Sequence, residues 1–129
     1  MMHPVAGADI VFGHGPHVTR AIEIYRDRFI IYSLGNFCTY RRFNLRGPNG
    51  IAPIIKVQLT PGGRFLKGEI IPVHQPGSGG ASLDSQKRAI SKLQELSTLD
   101  FPEVPLNIDP EGLITIPGDT TTNVQGSYY

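Results

Sequence analysis

The chain has 129 residues, of which 40% are hydrophobic and 18% are charged, and its formal net charge is +1. This length is typical of one domain with a single core, and the composition excludes a wholly disordered chain. The longest compact apolar run, Phe29–Tyr32, is far shorter than the ~18–20 residues of a membrane-spanning helix. No cationic segment precedes an apolar stretch near Met1, so we expect neither a secretory signal nor a transmembrane segment.

Charge is distributed unevenly along the chain. Residues 1–92 contain all 12 Lys and Arg and five Asp and Glu, a net charge of +7, whereas residues 93–129 contain six acids and no base. The basic region could attract an anionic substrate or a nucleic acid, or it could be an ordinary charged surface beside an acidic tail. We recognise no basic helical stripe and no RNA-binding aromatic motif, so we expect no nucleic-acid partner.

The first part of the chain predicts short strands separated by tight loops. Ala8–Phe12 is an apolar run typical of a buried strand, and it leads into Gly13–His17, a loop whose two glycines and proline exclude a helix. Ala21–Tyr25 and Phe29–Leu34 are rich in β-forming residues, and the polar connector Arg26–Arg28 joins them. Two strands around so short a turn predict a β-hairpin.

A second hairpin is predicted after an arginine-rich loop, which we place at residues 38–53. Ile54–Leu59 alternates apolar and polar residues, Thr60–Arg64 is a glycine-rich turn, and Phe65–Val73 returns as the partner strand. The alternation directs one set of side chains toward a common core, namely Ile55, Val57 and Leu59.

The last part of the chain predicts a linker, one helix and a tail. Gln75–Ser82 is rich in glycine and serine, as flexible linkers are. Ser82 or Asp84 is a suitable cap for a helix that ends near Leu96. Thr98–Tyr129 contains four prolines and a polar run, so we expect it to be extended or poorly ordered. The apolar stripe of the helix would consist of Leu83, Ile90, Leu93 and Leu96.

Two histidines in the Gly13–His17 loop are candidate metal ligands. His14 and His17 stand three residues apart directly after a predicted strand, and imidazole is the commonest side-chain ligand of divalent transition metals. Two histidines are too few for a complete site, which needs four to six donors. From the residues alone, structural loop histidines are therefore the stronger interpretation. The single Cys38 excludes an internal disulfide and is most simply a small hydrophobic residue.

Two stretches change this interpretation, because together they resemble one protein family. GADIVFGHGPHV (residues 7–18) and EIYRDRFIIYSLGNF (residues 23–37) are similar to the C-terminal signature of CapA-type capsule and poly-γ-glutamate biosynthesis proteins. That family belongs to the calcineurin-like metallophosphoesterase superfamily, and the resemblance extends from Gly7 to about Val73. It implies an α+β fold: a partial calcineurin-like β-sandwich, mostly antiparallel hairpins, with one C-terminal helix. Residues 1–100 would form the C-terminal part of the domain and residues 101–129 the tail.

The same resemblance implies a metal site. His14 and His17 match the late histidine motif of the superfamily, although they are three residues apart here and two apart in its usual form. Each would bind one ion of a divalent metal pair, for which manganese, iron and zinc are equally suitable candidates. Two such ions, ~3.5–4 Å apart, activate a water and stabilise the charge that develops on a phosphate.

The chain also departs from the superfamily pattern. The earlier motifs DxH, GDxxD and GNHE, which supply the bridging carboxylate and the remaining ligands, have no counterpart in this sequence. We therefore expect the C-terminal part of a family domain, truncated and inactive alone. We also expect apolar surface around Ile10 and Ile31 to stay uncovered, which would favour association through an exposed core.

Further polar residues are candidates for substrate binding. Asn36 lies where the family signature approaches the site, although it could simply belong to a turn. Arg42 and Arg46, with Arg20 and Arg41, could bind a phosphate or an anionic polymer through forked donors, or they could be solvated loop residues.

The expected function is thus a capsule or poly-γ-glutamate biosynthesis-type metallophosphoesterase acting on a phosphoester or an anionic polymer. The alternative is a non-catalytic module that binds an anionic polymer or assists assembly. Asp9 and His74 receive no metal-binding role. Relatives often act at the cell envelope, but the sequence leaves the compartment open.

Overall fold

The computed structural model describes residues 7–36, 47–75, 80–117 and 127–128, and the structural statements below concern these residues. They form two open, mostly antiparallel sheets and one helix, which confirms the expected α+β partial β-sandwich. The helix is not long and apolar enough to cross a membrane.

The first sheet has three strands, β1 (Ile10–Phe12), β2 (Ile22–Tyr25) and β3 (Arg28–Ile31), in the order β1-β3-β2. The predicted hairpin is confirmed, because β2 and β3 are antiparallel. Its two turn residues, Arg26 and Asp27, have φ values of 49° and 64°, the left-handed conformation that two-residue hairpin turns require. β1 pairs with β3 in parallel.

The prediction of a buried first strand is wrong for its last residue. β1 lies at the edge of the sheet, where Ile10 and Val11 are half-buried and Phe12 is 61% exposed. An apolar run does not distinguish an edge strand from a central one, because that difference depends on the partners a strand finds.

The second sheet is built around the predicted hairpin of β4 and β5, which is confirmed as antiparallel. β4 begins at Ile51, inside the loop predicted for residues 38–53, and a 3₁₀ turn at Gly47–Gly50 precedes it. Four short strands add to this hairpin, in the order β7-β8-β5-β4-β9 with β6 also paired to β5. The six strands are β4 (Ile51–Leu59), β5 (Phe65–His74), β6 (Ser82–Leu83), β7 (Asn107–Ile108), β8 (Leu113–Thr115) and β9 (Ser127–Tyr128).

The alternation predicted for β4 holds over most of its length. Val57 and Leu59 are buried, Ile55 is half-buried and Lys56 is exposed. Gln58, expected on the polar side, is 8% exposed, and the register of the β4–β5 ladder shifts directly after it. Strict alternation ends at such an irregularity.

The helix α1 (Arg88–Asp100) begins and ends later than predicted. Leu83 was placed on its apolar stripe, but it lies in β6 and is 72% exposed. Ile90 and Leu93 are buried as predicted, and Leu96 is half-buried.

Asp84, one of the two predicted caps, stabilises the start of the helix from four residues before Arg88. The N-cap position itself is occupied by Lys87, which makes no side-chain cap hydrogen bond. The Asp84 carboxylate accepts hydrogen bonds from the backbone N–H of Arg88 and of Gln86, and it also pairs with the Arg88 guanidinium at 3.0 Å. Burial alone would raise the pKa of Asp84, but the hydrogen bonds from Arg88 and Gln86 outweigh it and lower that pKa below its ordinary value.

Part of the predicted tail belongs to the second sheet. β8 pairs with β5 beside Gly68, where a Cβ would lie 3.2 Å from Ile114, and Ile114 is fully buried. Asp109 starts the β7–β8 turn by accepting hydrogen bonds from two backbone N–H groups, and Gly112 adopts a φ of 95°. The prediction of an extended or poorly ordered tail is therefore wrong for this two-stranded ribbon, because the proline-rich composition does not reveal the pairing with β5.

The core lies where the two sheets and the helix meet. The rings of Phe29 and Phe65 stack with centroids 5.7 Å apart, and the Phe65 N–H donates to the Asp27 carbonyl at 2.7 Å. The helix joins the first sheet through Ser97, whose Oγ accepts a hydrogen bond from the Ile22 N–H at 3.0 Å. The buried core residues are Ile22, Phe29, Ile31, Val57, Leu59, Phe65, Ile70, Ile90, Leu93 and Ile114.

One apolar surface beside this core stays open, which we call the apolar groove. It has a volume of about 670 Å³, and Phe12 and Ile54 (38% exposed) form its exposed rim. Ile31, expected to be uncovered, is only 1% exposed and lies in the floor. The groove is lined by Ile10, Phe12, His14, Phe29, Ile31, Leu34, Pro53, Ile54, Ile55 and Val57.

The Asp84 cap leads to a prediction about stability. Asp84→Ala should lower the free energy of unfolding at neutral pH by about 0.5–2 kcal/mol, because the cap bonds to Arg88 and Gln86 are lost. Since the folded-state pKa of Asp84 lies below the ordinary value of 3.8, this contribution is present above that value and is lost as the pH falls through the folded-state pKa. Urea unfolding at neutral and acid pH measures it. Asp100→Ala, at an exposed residue of the same helix, is the control and should change stability little.

The apolar groove leads to a second prediction. The chain should associate as its concentration rises, since exposed contiguous apolar surface promotes contact between molecules. Phe12→Ser should reduce this association, whereas Leu83→Ser, at an equally exposed residue outside the groove, should not. Size-exclusion chromatography over a concentration series tests this, and a wild-type monomer at every concentration would contradict it.

Candidate functional site

The histidine loop is anchored to the first sheet at its first residue, Gly13. The Gly13 N–H donates to the Ile31 carbonyl at 3.0 Å, and the Leu34 N–H donates to the Gly13 carbonyl at 2.9 Å. The His17 N–H donates to the His14 carbonyl at 2.9 Å, so Gly15 and Pro16 form a tight turn between the two histidines. The loop therefore continues directly from the end of β1, and backbone hydrogen bonds hold its start and its turn.

The two histidines have different surroundings. His14 is exposed, and its ring contacts the edge of the Phe12 ring with centroids 6.0 Å apart at the end of the apolar groove. His17 has a φ of 61°, a conformation uncommon for residues other than glycine. Such a backbone persists where surrounding contacts hold it, and residues of this kind cluster at functional sites.

Asn36 connects His17 to the second sheet. Its side chain is 3% exposed, and its Oδ1 lies 3.1 Å from His17 Nδ1. Its Nδ2 donates to the backbone carbonyl of Asn49 at 3.1 Å, and Asn49 Nδ2 approaches the His17 carbonyl oxygen at 3.5 Å. His17, Asn36 and Asn49, which we call the polar triad, thus join the histidine loop, the end of β3 and the 3₁₀ turn before β4.

Gly35 allows this connection. Its φ is 74°, and a Cβ there would lie 3.0 Å from Thr19 Oγ1 and 3.3 Å from the Ile51 carbonyl oxygen. A side chain at this position would be strained and crowded. The backbone can therefore turn Asn36 toward His17 only because residue 35 is glycine.

The other sequence candidates lie elsewhere. Asp9 pairs with the Arg28 guanidinium at 3.5 Å. His74 lies in β5, paired with Ile51 and Ser82. Arg20 is exposed. Cys38, Arg41, Arg42 and Arg46 lie outside the described residues.

The donor chemistry of the histidine loop fits a divalent metal, but the number of donors does not complete a site. A ligating histidine usually donates its second ring N–H to an oxygen, as His17 can do toward Asn36. Within residues 7–36, 47–75, 80–117 and 127–128, however, no three His, Cys, Asp or Glu side chains are grouped so that they could hold a metal ion.

Asn49 is the residue that sequence reasoning missed. In the sequence it belongs to Gly47-Pro48-Asn49-Gly50, which reads as an ordinary turn. No local signal distinguishes a turn that supports a site from one that only reverses the chain, because the distinction depends on Asn36, which is remote in sequence.

Comparison with known proteins identifies similarity in the region of this loop. The family model described as "Bacterial capsule synthesis protein PGA_cap" matches residues 2–41. The PGA biosynthesis protein CapA of Bacillus subtilis (strain 168) is 62% identical over 32 residues, and the capsule biosynthesis protein CapA of Bacillus anthracis is 56% identical over 32 residues. The uncharacterized protein y4sH of Sinorhizobium fredii (strain NBRC 101917 / NGR234) is 69% identical over 32 residues.

These similarities cover a short region. Each alignment spans 25% of this chain and only 7 or 8% of the relative. The residues matched by the family model include both GHGPH (residues 13–17) and YSLGNF (residues 32–37) and end at residue 41, so the resemblance between there and Val73 stays a prediction. Over this short region, the chain is similar to CapA-type bacterial capsule biosynthesis proteins.

Proposed function

We propose that the chain contributes the histidine loop of a divalent-metal phosphoesterase centre in a capsule or poly-γ-glutamate biosynthesis-type protein, and that the chain alone is inactive. His14 and His17 are the proposed ligands. The similarity of residues 2–41 to the capsule synthesis family model supports the biological setting, and the phosphoesterase chemistry is inferred from the two imidazoles on an anchored loop.

The single observation that carries the proposal is the hydrogen bond between His17 and Asn36. A surface histidine without a role needs no buried amide behind its ring, whereas a metal ligand gains affinity from a partner that orients it. Asn36 is 3% exposed and holds His17 Nδ1 at 3.1 Å, which is the arrangement that such a ligand requires.

The chemistry needs more donors than this loop provides. When bound, a pair of divalent ions supplies Lewis acidity toward a phosphoester and makes a water more acidic. A bridging carboxylate offsets the repulsion between two such ions, and no group of three His, Cys, Asp or Glu side chains among the described residues could hold one. We infer that the remaining ligands come from outside these residues.

Within this proposal, Asn36 supports a metal ligand rather than contacting substrate. Its amide oxygen and nitrogen are both directed at protein partners, His17 and Asn49. Arg42 and Arg46 are retained as candidates for binding a phosphoester or an anionic polymer.

This proposal predicts weak metal binding by the chain alone. Calorimetry with Mn²⁺ and Zn²⁺ should give weak binding, and a chromogenic phosphoester assay should give no appreciable turnover, because two imidazoles leave most coordination positions to water. Stoichiometric binding of two ions, or robust turnover by the 129-residue chain, would contradict it.

For a reconstituted site we predict the opposite behaviour, namely tight metal binding. Addition of the N-terminal region of a CapA-type relative, in the same chain or as a separate polypeptide, should raise metal affinity sharply. In that form His14→Ala and His17→Ala should each lower affinity or activity by about 10–100-fold or more, by analogy with the loss of outer-shell partners. His74→Gln is the matched control and should have little effect. Salt-sensitive binding of an anionic polymer without metal would instead favour the non-catalytic alternative.

A further inference from the structure

We propose that the outer edge of β1 is a self-association surface, at which a second copy of this chain adds its own β1 in antiparallel orientation. The two strands are related by a twofold axis at Val11, so that the three-stranded sheets of two copies join into one continuous sheet. This inference concerns association between copies of the chain and is independent of the proposed metal function.

The backbone of β1 has hydrogen-bonding groups on its outer side. The Gly13 N–H donates to the Ile31 carbonyl of β3 at 3.0 Å, so the backbone groups of Gly13 and of Val11, two residues earlier, face β3. The N–H and C=O groups of Ile10 and Phe12 therefore point away from β3, on a side where no described strand pairs with them. An unpaired edge of this kind is a template for a further strand.

The other sheet edges of the described residues are less suitable for pairing. On the outer edge of β2, the Ile22 N–H already donates to Ser97 Oγ. The outer edge of β4 contains Pro53, which has no N–H, and β9 covers its end at Gln58 and Leu59. β6, β7 and β9 have only two residues each. β1, with the sequence IVF, contains neither a proline nor a charged residue.

The register of the pairing follows from the direction of these backbone groups. When Val11 lies opposite Val11 of the second copy, Ile10 pairs with Phe12 of that copy, and each such pair exchanges both of its N–H···O=C bonds. A shift by one residue would set outward-facing groups against groups that face β3. An axis at Ile10 would place the charged Asp9 opposite Val11, and an axis at Phe12 would extend the pairing into the histidine loop. The axis at Val11 therefore pairs strand residues only.

The side chains of β1 are suited to a second copy of the same strand. Ile10 and Phe12 lie on one face of β1, and both line the apolar groove. Phe12 is 61% exposed in one copy, and the pairing places it beside Ile10 of the second copy. An aromatic residue next to a β-branched one is a cross-strand contact that stabilises antiparallel pairs. The pairing thus covers part of the exposed rim of the groove.

The charge of the chain permits two copies to approach each other. The formal net charge is +1, and proteins whose net charge is close to zero repel one another little. The acidic residue that precedes β1, Asp9, already pairs with Arg28 of the same chain. The edge therefore lacks the charged side chains by which proteins usually prevent pairing between sheet edges.

Charged variants at the axis test the pairing in the full 129-residue chain. Val11→Lys and Val11→Glu each place like charges directly opposite one another, so each should weaken self-association by about tenfold or more. An equimolar mixture of the two variants pairs opposite charges and should restore association. Leu83→Lys and Leu83→Glu, at an exposed residue of the other sheet, are the matched controls and should leave association unchanged. Sedimentation velocity over a concentration series measures all of them.

Disulfide formation tests the register. Directly opposite residues of a non-hydrogen-bonded antiparallel pair have Cα atoms about 4.5 Å apart, which lies within the range that a disulfide spans. In a Cys38→Ser background, Val11→Cys should therefore form a covalent dimer in oxidised glutathione. Asp9→Cys in the same background should not, because its two copies would lie more than about 10 Å apart along the strands.

A wild-type chain that stays monomeric, or one whose association neither Val11 charge variant weakens, would overturn the inference. Association that depends on Phe12 but not on Val11 would assign the contact to groove side chains, and association lost on removal of residues 1–6 would assign it to an exchanged terminal arm. A chain that pairs only with the N-terminal region of a CapA-type relative would assign the edge to that partner. Circular dichroism reports whether each variant folds, and if the charged variants do not, Val11→Cys against Asp9→Cys decides the matter.

Discussion

The contact between the two sheets at Phe29 and Phe65 is the constraint on which the rest of the structure depends. The stacked rings fix the first hairpin against the second, and the hydrogen bond from the Phe65 N–H to the Asp27 carbonyl fixes the turn of one hairpin against the first residue of β5. Removing a buried aromatic side chain of this kind costs about 3–5 kcal/mol, a large part of the stability of a domain this size.

The geometry of the polar triad depends on the contact between the two sheets at Phe29 and Phe65. His17 and Asn36 follow strands of the first sheet, and Asn49 precedes a strand of the second. A shift between the sheets would therefore separate Asn36 from one of its two partners. The buried Asn36 amide therefore serves both sides of the junction, because it donates to the Asn49 carbonyl of the 3₁₀ turn and contacts the His17 ring of the histidine loop. The apolar groove lies beside the same loop, since His14 is one of its lining residues.

The similarity to the capsule synthesis family covers only the first part of the described structure. The matched residues 2–41 contain the histidine loop and the first hairpin, whereas the second sheet and the helix lie after them. The 3₁₀ turn before β4 supplies Asn49, and the described part of the second sheet packs on the core side of the first sheet. The residues matched by the family model thus include the proposed ligands, and the later residues support this segment.

The sequence by itself determined both hairpins. Alternation of apolar residues and the choice of turn residues are local properties, so a short stretch of sequence is enough to reveal them. Both are visible in Ile22–Tyr25, Arg28–Ile31 and the β4–β5 pair. The sequence also identified the histidine loop and singled out Asn36. Tertiary structure alone decided that β1 is an edge strand, that Leu83 is exposed and that Ile114 completes the core beside Gly68. It alone brought Asn49 to Asn36, thirteen residues away. The physical reason is the same in each case: burial and hydrogen-bond partnership depend on segments distant in sequence, and no local pattern records which segments will meet.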